Sequence, residues 1–190
     1  MESLTRTTKE TNITAKLDIY GKGEANIQTG IGFFDHMLHS LCKHARWNLE
    51  LCCKGDLHID FHHSVEDCGI VIGQLLKQSL FPIQKIERFG NASVVMDEAC
   101  VECDLDISNR PFLVFELDIK GKVGDFDCEL IEEFFRALIF NAGISTHIIQ
   151  KRGKNNHHLI EAAFKAFAVA IRRASFKDEN IEIPSTKGIL

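Results

Sequence analysis

Apolar residues along this chain follow two rhythms. Every second position is apolar in "NITAKLDIY" (Ile13, Ala15, Leu17, Ile19), "NLELCC" (Leu49, Leu51, Cys53), "DLHIDF" (Leu57, Ile59, Phe61) and "EACVECDLDIS" (Val101, Cys103, Leu105, Ile107), and "FLVFELDI" behaves likewise. Period two predicts strands with one buried face. A helical rhythm predicts helices from about Gly32 to Cys42, Ser64 to Leu80, Glu129 to Ala142 and Leu159 to Ala174. In the last, Leu159, Ala163, Phe167, Ala170 and Ile171 form one apolar stripe, and Gly143 stands where the preceding helix needs a C-cap. The order strands, helix, strands, helix occurs twice.

The repetition extends to residue types. "HHSVE" at 62–66 returns as "HHLIE" at 157–161, so His62, His63 and Glu66 each reappear 95 positions later as His157, His158 and Glu161. "ETNITAKLDIYG" aligns with "EACVECDLDISN", matching Glu10 to Glu98, Leu17 to Leu105, Asp18 to Asp106 and Ile19 to Ile107. "DHMLHSL" then aligns with "EEFFRAL", placing His36 opposite Glu133. Matched blocks in the same order indicate internal duplication. The expected fold is α+β: one domain over 1–190 made of two similar halves, about 1–88 and 89–190. Each half is expected to hold a four-stranded, mostly antiparallel or mixed sheet covered on one face by two helices.

Composition narrows the classes. Hydrophobic content of 45% supports a core, and a net charge of −5 gives no basic footprint for nucleic acid or a membrane surface. The start "MESLTRTTKETN" has no apolar signal segment, and no apolar run reaches the ~18 residues that span a bilayer. A cytoplasmic location is expected. Seven cysteines, mostly inside apolar runs, suit buried thiols in a reducing compartment. Cys100 and Cys103 have CxxC form, but positions three apart on a strand face opposite ways, which makes a poor zinc clip.

Where HHxxE opens a helix, the first His and the Glu share a face, while the second His points about a quarter-turn away. Adjacent imidazoles set at that angle suit two different metal ions. Imidazole with carboxylate favours divalent first-row ions over Mg or Ca, and the lack of paired thiolates opposes a structural zinc cage. His39 and His58 have no repeat counterpart and are read as ordinary surface or core residues. Glu133 is nominated by the repeat, and His147 in "STHII" competes with it by proximity to the second motif. The expected ligands are His36, His62, His63 and Glu66, with Glu133, His157, His158 and Glu161: enough for two ions, each with an open position.

The segments "GIGFFDHML", "DFHHSVEDCGIVIG", "DLDISNRP", "NNHHLIEAAFKAFAVAIR" and "IPSTKG" closely resemble the imidazoleglycerol-phosphate dehydratase family of histidine biosynthesis, over almost the whole chain. The resemblance implies a duplicated α+β fold, trimers assembled into a 24-subunit shell, and two Mn2+ per active site at subunit boundaries. Ligands then come from more than one subunit. Two departures stand out: Glu133 occupies a position where many relatives have His, and Phe61 replaces the acidic residue often found before the first HH. The second removes a possible acceptor for His62 or His63.

The implied reaction dehydrates D-erythro-imidazole-glycerol phosphate to imidazole-acetol phosphate through a metal-stabilised imidazolate and a diazafulvene-like intermediate. Two metals gripping one nearly symmetric ring would account for duplicated ligand sets. Arg88, Arg110, Lys165, Ser185, Thr186 and Lys187 match the family's phosphate-binding positions, and Glu10 is a further substrate-binding position. Glu66, Glu161, Glu10 and His44 are candidates for proton transfer. The rival readings are a di-metal storage or ferroxidase-type shell and a dinuclear metallohydrolase.

Overall fold

The computed structural model describes residues 1–188. In chain order the elements of the first half are Glu2–Thr7 (β1), Thr11–Asp18 (β2), Ala25–Gln28 (β3), Gly32–Ala45 (α1), Asn48–Gly55 (β4) and His62–Leu80 (α2). The second half has Phe89–Met96 (β5), Ala99–Asp106 (β6), Phe112–Glu116 (β7), Lys122–Val123 (β8), Phe126–Asp127 (β9), Leu130–Ala142 (α3), Ser145–Arg152 (β10) and Asn156–Ala174 (α4). The two main sheets run β1-β2-β4-β3 and β5-β6-β10-β7, each with two antiparallel pairs and a final parallel pair. The β8–β9 hairpin has no counterpart in the first half.

Alternation explains the layering. Ile13, Ala15 and Leu17 of β2, like Val101, Cys103 and Leu105 of β6, are buried against helices while their neighbours face outward. Helices α1 and α2 cover the first sheet and α3 and α4 the second; across the interior α1 packs on α4 and α2 on α3. The helices are therefore sandwiched between two sheets. A Cβ built on Gly69 would lie 2.8 Å from the Phe134 carbonyl oxygen, and one on Gly73 would lie 2.4 Å from that of Leu138. Advancing together along both helices, these contacts show that α2 and α3 are parallel. Phe33 meets both Phe126 and His157, and Phe61 stacks on Phe126. All four helices thus begin at one end of the molecule, around the buried ring of Phe126.

Two expected strands change. "DLHIDF" is a turn: Gly55 is the last residue of β4 paired with β2, and the Ile59 N–H bonds the Asp56 carbonyl as the chain swings into α2. No neighbouring strand awaits it, and Ile59 is exposed. "FLVFELDI" forms a strand only to Glu116, where pairing with β10 ends. Gly143 caps α3 in the left-handed region, at φ 72°. All seven cysteines are free, with Cys103 fully buried and Cys100 half-buried on the other face of β6.

Candidate metal centre

Both HH pairs open a helix, and the helix start orients them. Asn155 caps α4, its side chain accepting from the His157 N–H at 2.9 Å and the His158 N–H at 3.4 Å. In the first half the Asp60 carboxylate accepts from the His62 N–H at 2.8 Å. His62 Nε2 then lies 3.7 Å from Glu66 Oε2, and His157 Nε2 lies 3.3 Å from Glu161 Oε2. The second histidines turn away, with ring centroids 6.2 Å (His62–His63) and 6.3 Å (His157–His158) apart and planes nearly perpendicular.

Each second histidine leans on a carboxylate. His63 Nδ1 is 3.0 Å from Asp56 Oδ2, with Glu10 3.7 Å from its Nε2. His158 Nδ1 is 2.7 Å from Glu98 Oε2, with Asp97 3.8 Å from its Nε2. A carboxylate on Nδ1 fixes the tautomer that leaves Nε2 free for a metal. Asp56 thus supplies the acceptor that Phe61 does not, while Phe61 packs against Phe126. Asp56 and Asp97 escaped the sequence reading because neither lies in a repeated block.

Among the described residues one group closes to metal-binding dimensions: ligand atoms of His36, His157 and Glu161 all lie within 4.8 Å of one another. It crosses the duplication, since His36 opens α1 and the other two open α4. Cross-packing of α1 on α4 thus unites His36 of the first half with the second HHxxE motif. Two imidazoles and a carboxylate are a donor set that fits a divalent first-row ion. Lys165 Nζ sits 2.8 Å from Glu161 Oε1. Burial pushes the Glu161 carboxyl up, but Lys165, His36 and His157 outweigh it and hold it below the usual range. His44, near the end of α1, is lowered by burial and by the charges of Lys165 and Arg172.

The α2–α3 seam carries the repeat-equivalent positions His62, Glu66 and Glu133. Glu133 precedes Phe134, whose carbonyl Gly69 approaches, so the opening turn of α3 runs beside that of α2 carrying Glu66. His147 is exposed on β10, where the buried neighbours Thr146 and Ile148 face the helices instead. His39 and His58 are exposed and outside the cluster.

The cationic residues gather at the far end of the second sheet. Arg88 forks onto Asp106 at 2.7 and 3.1 Å and donates to the Pro184 carbonyl at 2.8 Å, fastening the 184–188 turn that carries Ser185, Thr186 and Lys187. Arg110 is 71% exposed and 3.8 Å from Asp106. The Arg88 N–H bonds the carbonyl of Ala174, at the C-terminus of α4. Thirteen residues separate Ala174 from Glu161 on that helix, roughly 20 Å at 1.5 Å per residue.

The family model described as Imidazoleglycerol-phosphate dehydratase matches residues 29–171. This chain belongs to that family. The Wolinella succinogenes imidazoleglycerol-phosphate dehydratase is 72% identical over 190 residues, covering 100% of both chains. The crystal structure of the Staphylococcus aureus dehydratase superposes with a TM-score of 0.82 at 40% identity, covering 92% of this chain and 98% of that one. The Pyrococcus furiosus structure, in complex with (S)-C348, gives 0.86 at 36% identity, covering 98% and 100%. The protein is a hydro-lyase of histidine biosynthesis acting on imidazoleglycerol phosphate. No described helix is long and apolar enough to cross a membrane.

The dehydratase's second histidines give a pH prediction. Asp56 raises His63 and Glu98 raises His158, while His158 and the Asn155 and Lys154 N–H groups hold Glu98 down at about 2. Without metal, each raised histidine stabilises the fold fully below the ordinary histidine pKa, and that contribution fades as pH rises through its folded value. The Glu98 contribution is present above the ordinary glutamate range and fades as pH falls toward about 2. A metal held on Nε2 of these rings would reverse the histidine sign, because it binds neutral imidazole. Metal affinity should therefore fall on acidification at a higher pH than for an unperturbed histidine. Mn2+ titrations of stripped protein across pH test this: Glu98→Gln should move the loss to lower pH, and an unmoved curve refutes the assignment.

Proposed function

We propose that this enzyme dehydrates D-erythro-imidazole-glycerol phosphate to imidazole-acetol phosphate in a metal-dependent reaction, with two Mn2+ per active site. The observation that carries the reading is the His36–His157–Glu161 group, whose donors lie within 4.8 Å of one another. The proposed ligands are His36, His62, His63, Glu66, Glu133, His157, His158 and Glu161. Bound metal would lower the pKa of the substrate imidazole and enrich the ring in electrons, so that it can expel the adjacent hydroxyl.

The protein's own groups supply the rest. The carboxylates on His63 and His158 hold those rings in one orientation. Arg110 and Lys187 are exposed cations suited to phosphate, joined by the hydroxyls of Ser185 and Thr186. Arg88, already spent on Asp106 and Pro184, holds the turn in place. Lys165 is 2.8 Å from Glu161 and can neutralise that carboxylate or meet a substrate phosphate. Glu10, Glu66, Glu161 and His44 remain the groups for proton transfer. A storage or ferroxidase reading asks for ligands deep within a helical bundle; here they stand on the opening turns.

The separation of roughly 20 Å along α4 supports an active site completed by a second chain. We place the metal end of one subunit against the cationic end of a neighbour, within a 24-subunit shell. The seven free thiols suit the reducing cytoplasm. Complementation tests this. Glu161→Gln and Arg110→Ala should each be nearly inactive alone. Mixed oligomers, formed by unfolding and refolding the two together, should regain activity through sites pairing one intact end from each. Stripped protein should stay inactive until Mn2+ is restored. Product formation at full rate without metal refutes the metal dependence; failure of properly mixed oligomers to recover refutes the shared site.

A further inference from the structure

We infer that the two metal subsites of each chain are chemically unequal: the α2–α3 subsite (His62, Glu66, Glu133) is the harder and more anionic and takes Mn2+ first, while the α1–α4 subsite (His36, His157, Glu161) prefers imidazole-seeking ions such as Zn2+. The inference rests on the metal reading above and deepens it.

Three differences between the duplicated seams carry it. The first is the donor set. Two imidazoles and one carboxylate meet at α1–α4, whereas the repeat-equivalent positions at α2–α3 offer one imidazole and two carboxylates. Carboxylate suits Mn2+ and imidazole suits Zn2+. The second is a neighbouring charge. Lys165, four residues after Glu161, places its ammonium 2.8 Å from that carboxylate. The residue four after Glu66 is Ile70. Among the described residues neither Glu66 nor Glu133 pairs with a lysine or arginine, so the charge of the α2–α3 seam is uncompensated. The third is exposure and closure. The Glu161 side chain is 11% exposed and its group is drawn together, while the Glu66 side chain is 44% exposed. Two carboxylates with no cation between them repel, and a divalent ion is what would draw them in.

The test uses intact oligomer stripped by chelation, titrated separately with Mn2+ and Zn2+ by calorimetry, with free Mn2+ followed by electron paramagnetic resonance. Mn2+ should fill two equal classes differing about tenfold or more, the order of one extra unit charge near a divalent ion in a water-like medium. Glu161→Gln should abolish the weaker Mn2+ class and the stronger Zn2+ class. Glu133→His should shrink the Mn2+ gap, and Ile70→Lys should weaken only the class that survives Glu161→Gln. One uniform Mn2+ class, or a gap that Glu133→His leaves unchanged, overturns the inference. The same filling order for both ions overturns the selectivity. Absence of stoichiometric binding to the unmodified protein overturns the metal reading itself, a result distinct from uniform binding.

Discussion

Glu161→Gln will lower kcat by more than about 100-fold, since losing a group that merely supports a metal ligand already costs 10–100-fold. Glu161 is the one residue that gathers both halves of the cluster: its Oε2 is 3.6 Å from His36 Nε2 and 3.3 Å from His157 Nε2. Its Oε1 meanwhile faces Lys165 at 2.8 Å. An amide of the same size removes the charge that makes these contacts favourable and presents N–H donors, which no cation can use. Metal per subunit should fall along with kcat, while the helical circular dichroism stays unchanged. The control is Glu132→Gln, which touches Arg136 on the outer side of α3 and should alter neither quantity. A Glu161→Gln protein with full metal content and near-normal kcat would remove this carboxylate from the centre.

Gly73→Ala will destabilise the fold, against the usual rule for helices. Alanine in place of a helical glycine gains up to about 1 kcal/mol from propensity. Here the new methyl would stand 2.4 Å from the Leu138 carbonyl oxygen and 2.8 Å from the Asn141 Cβ. The first of these is backbone and cannot swing aside. Forcing two packed helices apart costs roughly 1–3 kcal/mol or more. The clash prevails, for a net loss of about 1 kcal/mol or more, read as a lower urea midpoint. Gly69, with the Phe134 carbonyl 2.8 Å away, should behave similarly. Because Glu66 and Glu133 lie one turn or less from that contact, the Gly69 change should also weaken metal binding at α2–α3. An unchanged or raised midpoint for Gly73→Ala would mean that the helices do not approach so closely.

Much of this architecture could be read in the residues because its determinants are local or repeated. The alternation in β2 and β6 reports a buried face directly, and the stripe from Leu159 to Ile171 reports α4. The shift of 95 positions between "HHSVE" and "HHLIE" reports a copied unit, whose sheets share one strand order. "DLHIDF" misled for a physical reason: alternation says that one face can be buried, not that a partner strand is present. A turn was required there to bring His62 onto its helix.

The residue types of the centre and the duplication are legible in the chain itself, and the quarter-turn between adjacent histidines follows from spacing along a single helix. Tertiary structure decided which of those residues meet. Cross-packing between halves joins His36 to His157 and Glu161, the Glu98 carboxylate reaches His158 from 60 positions away, and Asp56 reaches His63 across the turn that leads into α2. Parallel packing of all four helices sets their opening turns at one end and the Arg88–Arg110 cluster at the other. Spacing fixes directions along one element; only the burial of apolar faces between two sheets fixes which elements lie side by side.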